Sequence, residues 1–157
     1  MDKLWAPWRI AYVGKAAQKK ASSCIFCTAR KNSKKDRVFL VTKHSFAMLN
    51  LYPYNNGHAL VSPKRHVADM ALLTQEETLD LIAALHTTKA LLQKTLRPHG
   101  YNIGINMGSA GGAGVTGHIH IHIVPRWHGD TNFMPVFHNT KIISQSLDEL
   151  LKLLKKA

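Results

Sequence analysis

His118-Ile119-His120-Ile121-His122-Ile123-Val124 alternates imidazole with aliphatic side chains along its length. A β-strand sends successive side chains to opposite faces, so this stretch reads as a strand with three histidines on one face and Ile119, Ile121 and Ile123 packed into a core on the other. At a rise of roughly 3.3 Å per residue, neighbouring histidines stand about 7 Å apart. Near neutral pH an imidazole can be a neutral nucleophile, a proton donor or a metal ligand. Just before the row lies Gly108-Ser109-Ala110-Gly111-Gly112-Ala113-Gly114-Val115-Thr116-Gly117. Its glycines allow close backbone approach and can aim N–H groups at an anion. A nucleophile beside an anion-binding loop suits attack on a phosphate ester or anhydride. Read from the residues alone, the row is also compatible with a metal-coordinating face or with an exposed strand.

Working outward, Val38 to Thr42, Phe46 to Leu49, His58 to Ser62 and Tyr101 to Asn106 read as further short strands. Lys43–Ser45 separates the first two, and Leu51-Tyr52-Pro53-Tyr54-Asn55-Asn56-Gly57 is dense in turn residues. Thr74-Gln75-Glu76-Glu77 has the form of a capping box, which predicts a helix from there to about Arg97, where Pro98 and Gly100 end it. Leu79, Ile82 and Ala83 give that helix its apolar face. A second box at Ser146-Leu147-Asp148-Glu149 starts a terminal helix with Leu147, Leu150, Leu151 and Leu154 on one side. Strands in a run, then a helix, then strands and a last helix predict an α+β fold with a largely antiparallel sheet. Residues 1–157 should form one domain, with 1–37 a basic arm around a C-x-x-C turn.

Composition narrows the partners. The chain has 157 residues and a net charge of +12, much of it at Lys15, Lys19, Lys20 and at Arg30, Lys31, Lys34, Lys35 and Arg37. Such a balance favours anions, whether nucleotides, nucleic acid or an acidic membrane surface, and is equally a solvated basic surface. No apolar run approaches the length of a membrane helix and the N-terminus lacks the pattern of a signal peptide, so a cytoplasmic location and no membrane partner are expected. Only Cys24 and Cys27 are present, too few for a secreted disulfide scaffold.

The sequence resembles the histidine-triad (HIT) nucleotide-binding proteins, whose signature His-φ-His-φ-His-φ-φ is matched by His118 to Val124 at every position. Asn106, the glycine loop, and the upstream Asn50…Gly57-His58-Ala59-Leu60-Val61…Pro63…His66 fall in the family's order. Leu4-Trp5-Ala6-Pro7-Trp8-Arg9 and Pro125 to Met134 resemble its diadenosine-polyphosphate branch. The resemblance implies that His120 is the nucleophile, attacking the α-phosphorus of a nucleotide to give a nucleotidyl-imidazole. It implies that His122 assists on the same face and that His58 is an additional active-site histidine. Asn50 would bind ribose hydroxyls and Asn106 would lie near the α-phosphate, with Gly114, Val115 and Thr116 in the substrate-binding loop. That loop is one residue longer than in the simplest relatives, and Gly114 stands near the place where many have a glutamine. The resemblance further implies a homodimer with the two sheets joined, for which Trp5, Trp8 and Trp127 are hints.

Cys24-Ile25-Phe26-Cys27 has metal-ligand spacing, but two ligands leave a tetrahedral site incomplete. The resemblance supplies His66 and His118 as the other two, giving a structural zinc site that pins the arm to the histidine strand. A redox pair of the thioredoxin type would want a helix N-terminus and a βαβ context, neither visible in the sequence; two unliganded thiols are the other alternative.

The leading expectation is a hydrolase of dinucleoside polyphosphates. A diadenosine tetraphosphate phosphorylase is the nearest rival; phosphorylases of the family commonly carry glutamine at the third triad position, so His122 tilts the reading towards water as acceptor. A nucleoside phosphoramidase uses the same chemistry. A non-enzymatic, zinc-stabilised module binding RNA or another polyanion is the reading from a different class; it would not need the triad, Asn50 and the loop together, so nucleic acid is not the favoured partner. Magnesium enters only as a counterion on the polyphosphate.

Overall fold

In the computed structural model, residues 24–31, 36–131, 133 and 142–157 are described. Leu4 to Arg9, the cluster Lys15, Lys19 and Lys20, and also Lys34, Lys35, Asn132 and Met134 lie outside them. Strands β1 (Val38–Val41), β2 (Ser45–Leu49), β3 (Ala59–Pro63), β4 (Gly100–Ile105) and β5 (Ile121–Arg126) form one sheet in the order β1-β2-β3-β5-β4, antiparallel throughout. Among the described residues, three helices, α1 (Ile25–Lys31), α2 (Gln75–Leu96) and α3 (Leu147–Lys156), complete the α+β fold, with a short 3₁₀ turn at Met70–Leu72.

Both predicted helix starts are present. Thr74 accepts from the Glu77 amide while the Glu77 carboxylate accepts from the Thr74 amide, and Ser146 accepts from the Glu149 amide. α2 ends at Arg97, whose left-handed φ of 48° stops it before Pro98. The face it buries is not the expected one. Leu81, Ala84, Leu85, Thr88 and Leu92 meet the sheet, whereas Leu79 (64% exposed) and Ile82 (43% exposed) face away. The helix has apolar residues on two sides, and periodicity alone cannot say which of them the sheet covers. In α3, Leu150 and Leu154 are buried as expected.

The sheet thus has two differently covered faces. On one, α2 and α3 pack over Ala47, Leu49, Ala59, Val61, Ile121 and Ile123. On the other, α1 lays Phe26 and Ala29 over Val38, Phe46, Met48 and Leu60. Leu60 is the direct partner of His122, so the histidines share the face of α1. The ladder of β5 begins only at Ile121, later than the sequence predicts. His118 to His120 approach it in a segment tied instead by the Ile119 amide to the Val67 carbonyl (2.7 Å) and by the Ser62 hydroxyl to the Ile119 carbonyl (3.0 Å). C-x-x-C, expected as a turn, opens α1.

Candidate functional site

The tautomer of each histidine in the row follows from what its backbone surroundings can accept. His120 Nδ1 lies 2.8 Å from the His118 carbonyl, which can only accept, so Nδ1 carries the hydrogen and Nε2 presents a lone pair. His118 Nε2 lies 2.9 Å from the Pro63 carbonyl, so its lone pair is on Nδ1. His58 Nδ1 accepts from the Tyr54 amide (3.0 Å), which leaves the hydrogen on Nε2; that nitrogen donates to His122 Nδ1 at 2.9 Å. His122 must therefore carry its own hydrogen on Nε2. Three different carbonyl or amide contacts thus leave the same side chain type with an outward lone pair at His118 and His120 and an outward N–H at His122.

Burial keeps the row uncharged. His58 is pushed down to about 3 by desolvation, with the nearby rings of His122 and His120 adding to it. Desolvation and His120 lower His122 to about 4. His120 is lowered by burial, partly offset by its bond to the His118 carbonyl, and His118 is likewise lowered by burial. A neutral imidazole is the form that can attack or ligate. Rings close the space between them: His120 and His122 are 5.0 Å apart, and Phe26 stands 4.7 Å from His120 and 5.1 Å from His118.

The segment bearing His58 is held in place from both ends. The Asn55 amide donates to the Pro125 carbonyl (3.1 Å) and to Asp130 (2.7 Å). Gly57 has φ of 75°, and a Cβ there would lie 2.5 Å from Leu96 Cδ1, so a side chain would be strained in its backbone and would displace Leu96. Asn50 turns its amide to this segment: Oδ1 accepts from the Tyr52 amide (3.1 Å) and Nδ2 lies 3.3 Å from His58 Nδ1.

At the other end of the row, Cys24, Cys27, His66 and His118 converge, one donor atom from each lying within 4.8 Å of the others. The Sγ to Nδ1 distances are 3.3 Å for Cys24–His118, 3.4 Å for Cys27–His66 and 3.7 Å for Cys27–His118. Tetrahedral zinc with Zn–S about 2.3 Å and Zn–N about 2.05 Å requires S···N near 3.6 Å, so this donor set could hold a metal ion. The thiols are not joined as a disulfide. The cysteines do sit at a helix N-terminus, contrary to the sequence expectation, yet the sheet is antiparallel and offers no βαβ unit for a thioredoxin-like pair. Next to His66 in the chain, Arg65 makes a two-pronged contact to Glu77 (2.7 and 2.6 Å) at the start of α2.

A cavity of about 200 Å³ opens beside His122, lined by Tyr54, Asn102, Ile103, Gly104, Asn106 and Val124 as well. Asn106 donates to the Gly112 carbonyl (3.4 Å). The glycine loop is compact where it must be: a Cβ on Gly111 would fall 2.3 Å from the Met107 carbonyl oxygen. Gly114 and Thr116 are exposed, while Val115 packs on the Phe26 cluster. The residues predicted for catalysis and those predicted for metal thus meet as two groups along one row, with Asn50 and Asn106 on either side. Tyr54 and Phe26 were not read from the sequence. Both lay in stretches read for their turn or ligand residues; the signal was an aromatic inside each.

The HIT domain family matches residues 31–129. The chain belongs to the histidine-triad family. An AP-4-A phosphorylase of Mycobacterium tuberculosis is 35% identical to this HIT protein over 98% of the chain and 83% of the relative. An asymmetrical bis(5′-nucleosyl)-tetraphosphatase of Schizosaccharomyces pombe is 38% identical over 60% of the chain and 51% of the relative. Among solved structures, a zinc-bound histidine triad family protein from Mycobacterium smegmatis superimposes with a TM-score of 0.68 at 26% identity, covering 85% of this chain and 91% of that one.

Proposed function

We propose that this HIT protein is an enzyme that cleaves dinucleoside polyphosphates through a covalent nucleotidyl-His120 intermediate. The observation that carries the reading is the His120 Nδ1–H bond to the His118 carbonyl, which aims a neutral Nε2 lone pair out of the row. That lone pair forms the N–P bond at the α-phosphorus, the bridging P–O bond breaks, and its electron pair leaves on the departing nucleotide. His122 Nε2–H, held by His58, donates to the phosphate oxygens. Asn106 and the loop with Gly114, Val115 and Thr116 face the same group, and Asn50 keeps one Oδ1 lone pair for a ribose hydroxyl. A second acceptor then attacks the phosphorus, and the P–N pair returns to Nε2.

Water is the acceptor we favour, from His122 at the third triad position. The near full-length similarity to an AP-4-A phosphorylase supports inorganic phosphate as the second reading. Incubating the protein with diadenosine triphosphate and tetraphosphate, with and without phosphate, separates them. AMP formed without phosphate supports hydrolysis; ADP formed from the tetraphosphate only with phosphate supports phosphorolysis. No product from either substrate overturns both.

Cys24, Cys27, His66 and His118 are proposed to hold a structural zinc, for which the S···N spacing and the lone pair on His118 Nδ1 are the support. Zinc there would clamp α1 to the segment carrying His120. The whole chain is proposed to act as one domain and, having among its described residues no helix long and apolar enough to cross a membrane, to work in the cytoplasm. We also propose a homodimer. β4 is an edge strand with Ile103 48% exposed, and the uncovered side of α2 carries Leu79 and Ile82. Light scattering on the wild type and on Ile82→Glu tests it: a dimer that becomes a monomer is the expected result.

A further inference from the structure

We propose that the cavity beside His122 is the subsite of the leaving nucleotide, whose base stacks on the exposed face of Tyr54. This rests on the nucleotidyl-transfer reading above and adds to it where the second half of the substrate goes.

Position is the first argument. The cavity touches His122 but not His120, so its occupant lies beside the donor and away from the atom that becomes bonded to phosphorus. Asn50 is on the β2–β3 side of His58, tied by its amide to the His58 carbonyl at 2.9 Å, whereas the cavity stands over β4 and β5. The part of the substrate retained on His120 and the part that departs are thereby given opposite sides of the row. On the α1 side, Phe26 is fully buried and stands against His120.

The second argument is the shape and chemistry of the walls. Gly104 is the direct partner of His122 across β4 and β5, and a Cβ there would meet nothing within 4 Å. Glycine therefore keeps the floor open over the His122 ring. Tyr54 lies parallel to that ring, 5.9 Å away with 6° between planes, and 4.5 Å from His58. It remains 52% exposed and lines the cavity, so part of its ring is left for an occupant. A flat aromatic platform that is already held in place is what a nucleobase needs. The edge of the base would find a polar partner in Asn102, whose Oδ1 is engaged by Arg126 (2.7 Å) and which so turns its amide hydrogens elsewhere. Strand addition at β4 would use backbone groups in the plane of the sheet and leave this face clear.

The test compares two substrates that differ only in the second nucleoside: diadenosine tetraphosphate and adenosine 5′-tetraphosphate. Tyr54→Ala should raise KM for the dinucleotide and lower the ratio of kcat/KM between the two substrates by about tenfold, the size of one base stack. Tyr54→Phe should keep the ratio within about twofold of wild type, since the ring remains. Gly104→Val, which fills the floor without removing any group, should lower the ratio in the same direction. A ratio unmoved in Tyr54→Ala, with both substrates changed equally or not at all, overturns the subsite and leaves nucleotidyl transfer standing. Wild-type protein that turns over neither substrate overturns the transfer reading and the subsite with it.

Discussion

The two ends of the histidine row are made of the same side chain and do different work. His118 gives its Nε2 hydrogen to the Pro63 carbonyl and faces two thiols with Nδ1; His122 receives the His58 hydrogen on Nδ1 and faces an open cavity with Nε2. Between them His120 hands its hydrogen to a carbonyl two residues back. Sequence spacing put the three on one face, but the partner of the inward nitrogen decides what the outward nitrogen can do.

If that comparison holds, the ends can be broken separately. The largest effect is expected at the middle. His120→Ala should lower kcat by at least about 10³-fold, and acid-quenched wild type given labelled dinucleotide should show a covalent adduct that the variant lacks. His58→Ala comes next. Without its donor, His122 is free to take the wrong tautomer, and kcat should fall roughly 10²-fold while metal content stays near wild type. His118→Ala should show the opposite pattern: bound zinc is lost, the melting temperature falls by roughly 10 °C, and kcat falls less than in His58→Ala. Equal damage to both properties in both variants would mean that the row behaves as one unit.

The smallest effect is in the pH dependence of stability. His58 and His122 are neutral when folded, lowered to about 3 and about 4 from an ordinary 6.5. The unfolded chain takes up protons first as pH falls, so this part of the stability is complete above pH 6.5 and declines through the window down to about 3. Melting curves between pH 7 and pH 4 should fall in wild type and fall less steeply in His58→Ala.

What could be read in the sequence was what is local. Both helix starts are marked in the sequence by a hydroxyl with a carboxylate three residues on, and the triad shows its face by strict alternation. His66 and His118 are expected as metal ligands only because a family pattern links residues distant in sequence, and the structure brings them to Cys24 and Cys27. Other features depend on neighbours that the sequence does not order. Leu79, Ile82 and Ala83 form as good a stripe as Leu81, Leu85 and Leu92, and only the sheet's position chooses between them. The order of β4 and β5 comes from pairing across the chain, which is also what puts Gly104 opposite His122. Tyr54 was hidden in a segment rich in turn residues, where its ring contacts leave no periodic trace.

Glu77 couples regions that the fold otherwise keeps apart. Its carboxylate accepts from the Thr74 amide and from both prongs of Arg65, which holds it down at about 2, while its own amide closes the cap on Thr74. Arg65 also donates to the Leu72 carbonyl and precedes His66. The first turn of α2, the 3₁₀ turn before it and the segment bearing His66 therefore share one anchor. Releasing any of them frees the other two, so their slowly exchanging amide hydrogens should appear together, as a single cooperative opening rather than three independent ones.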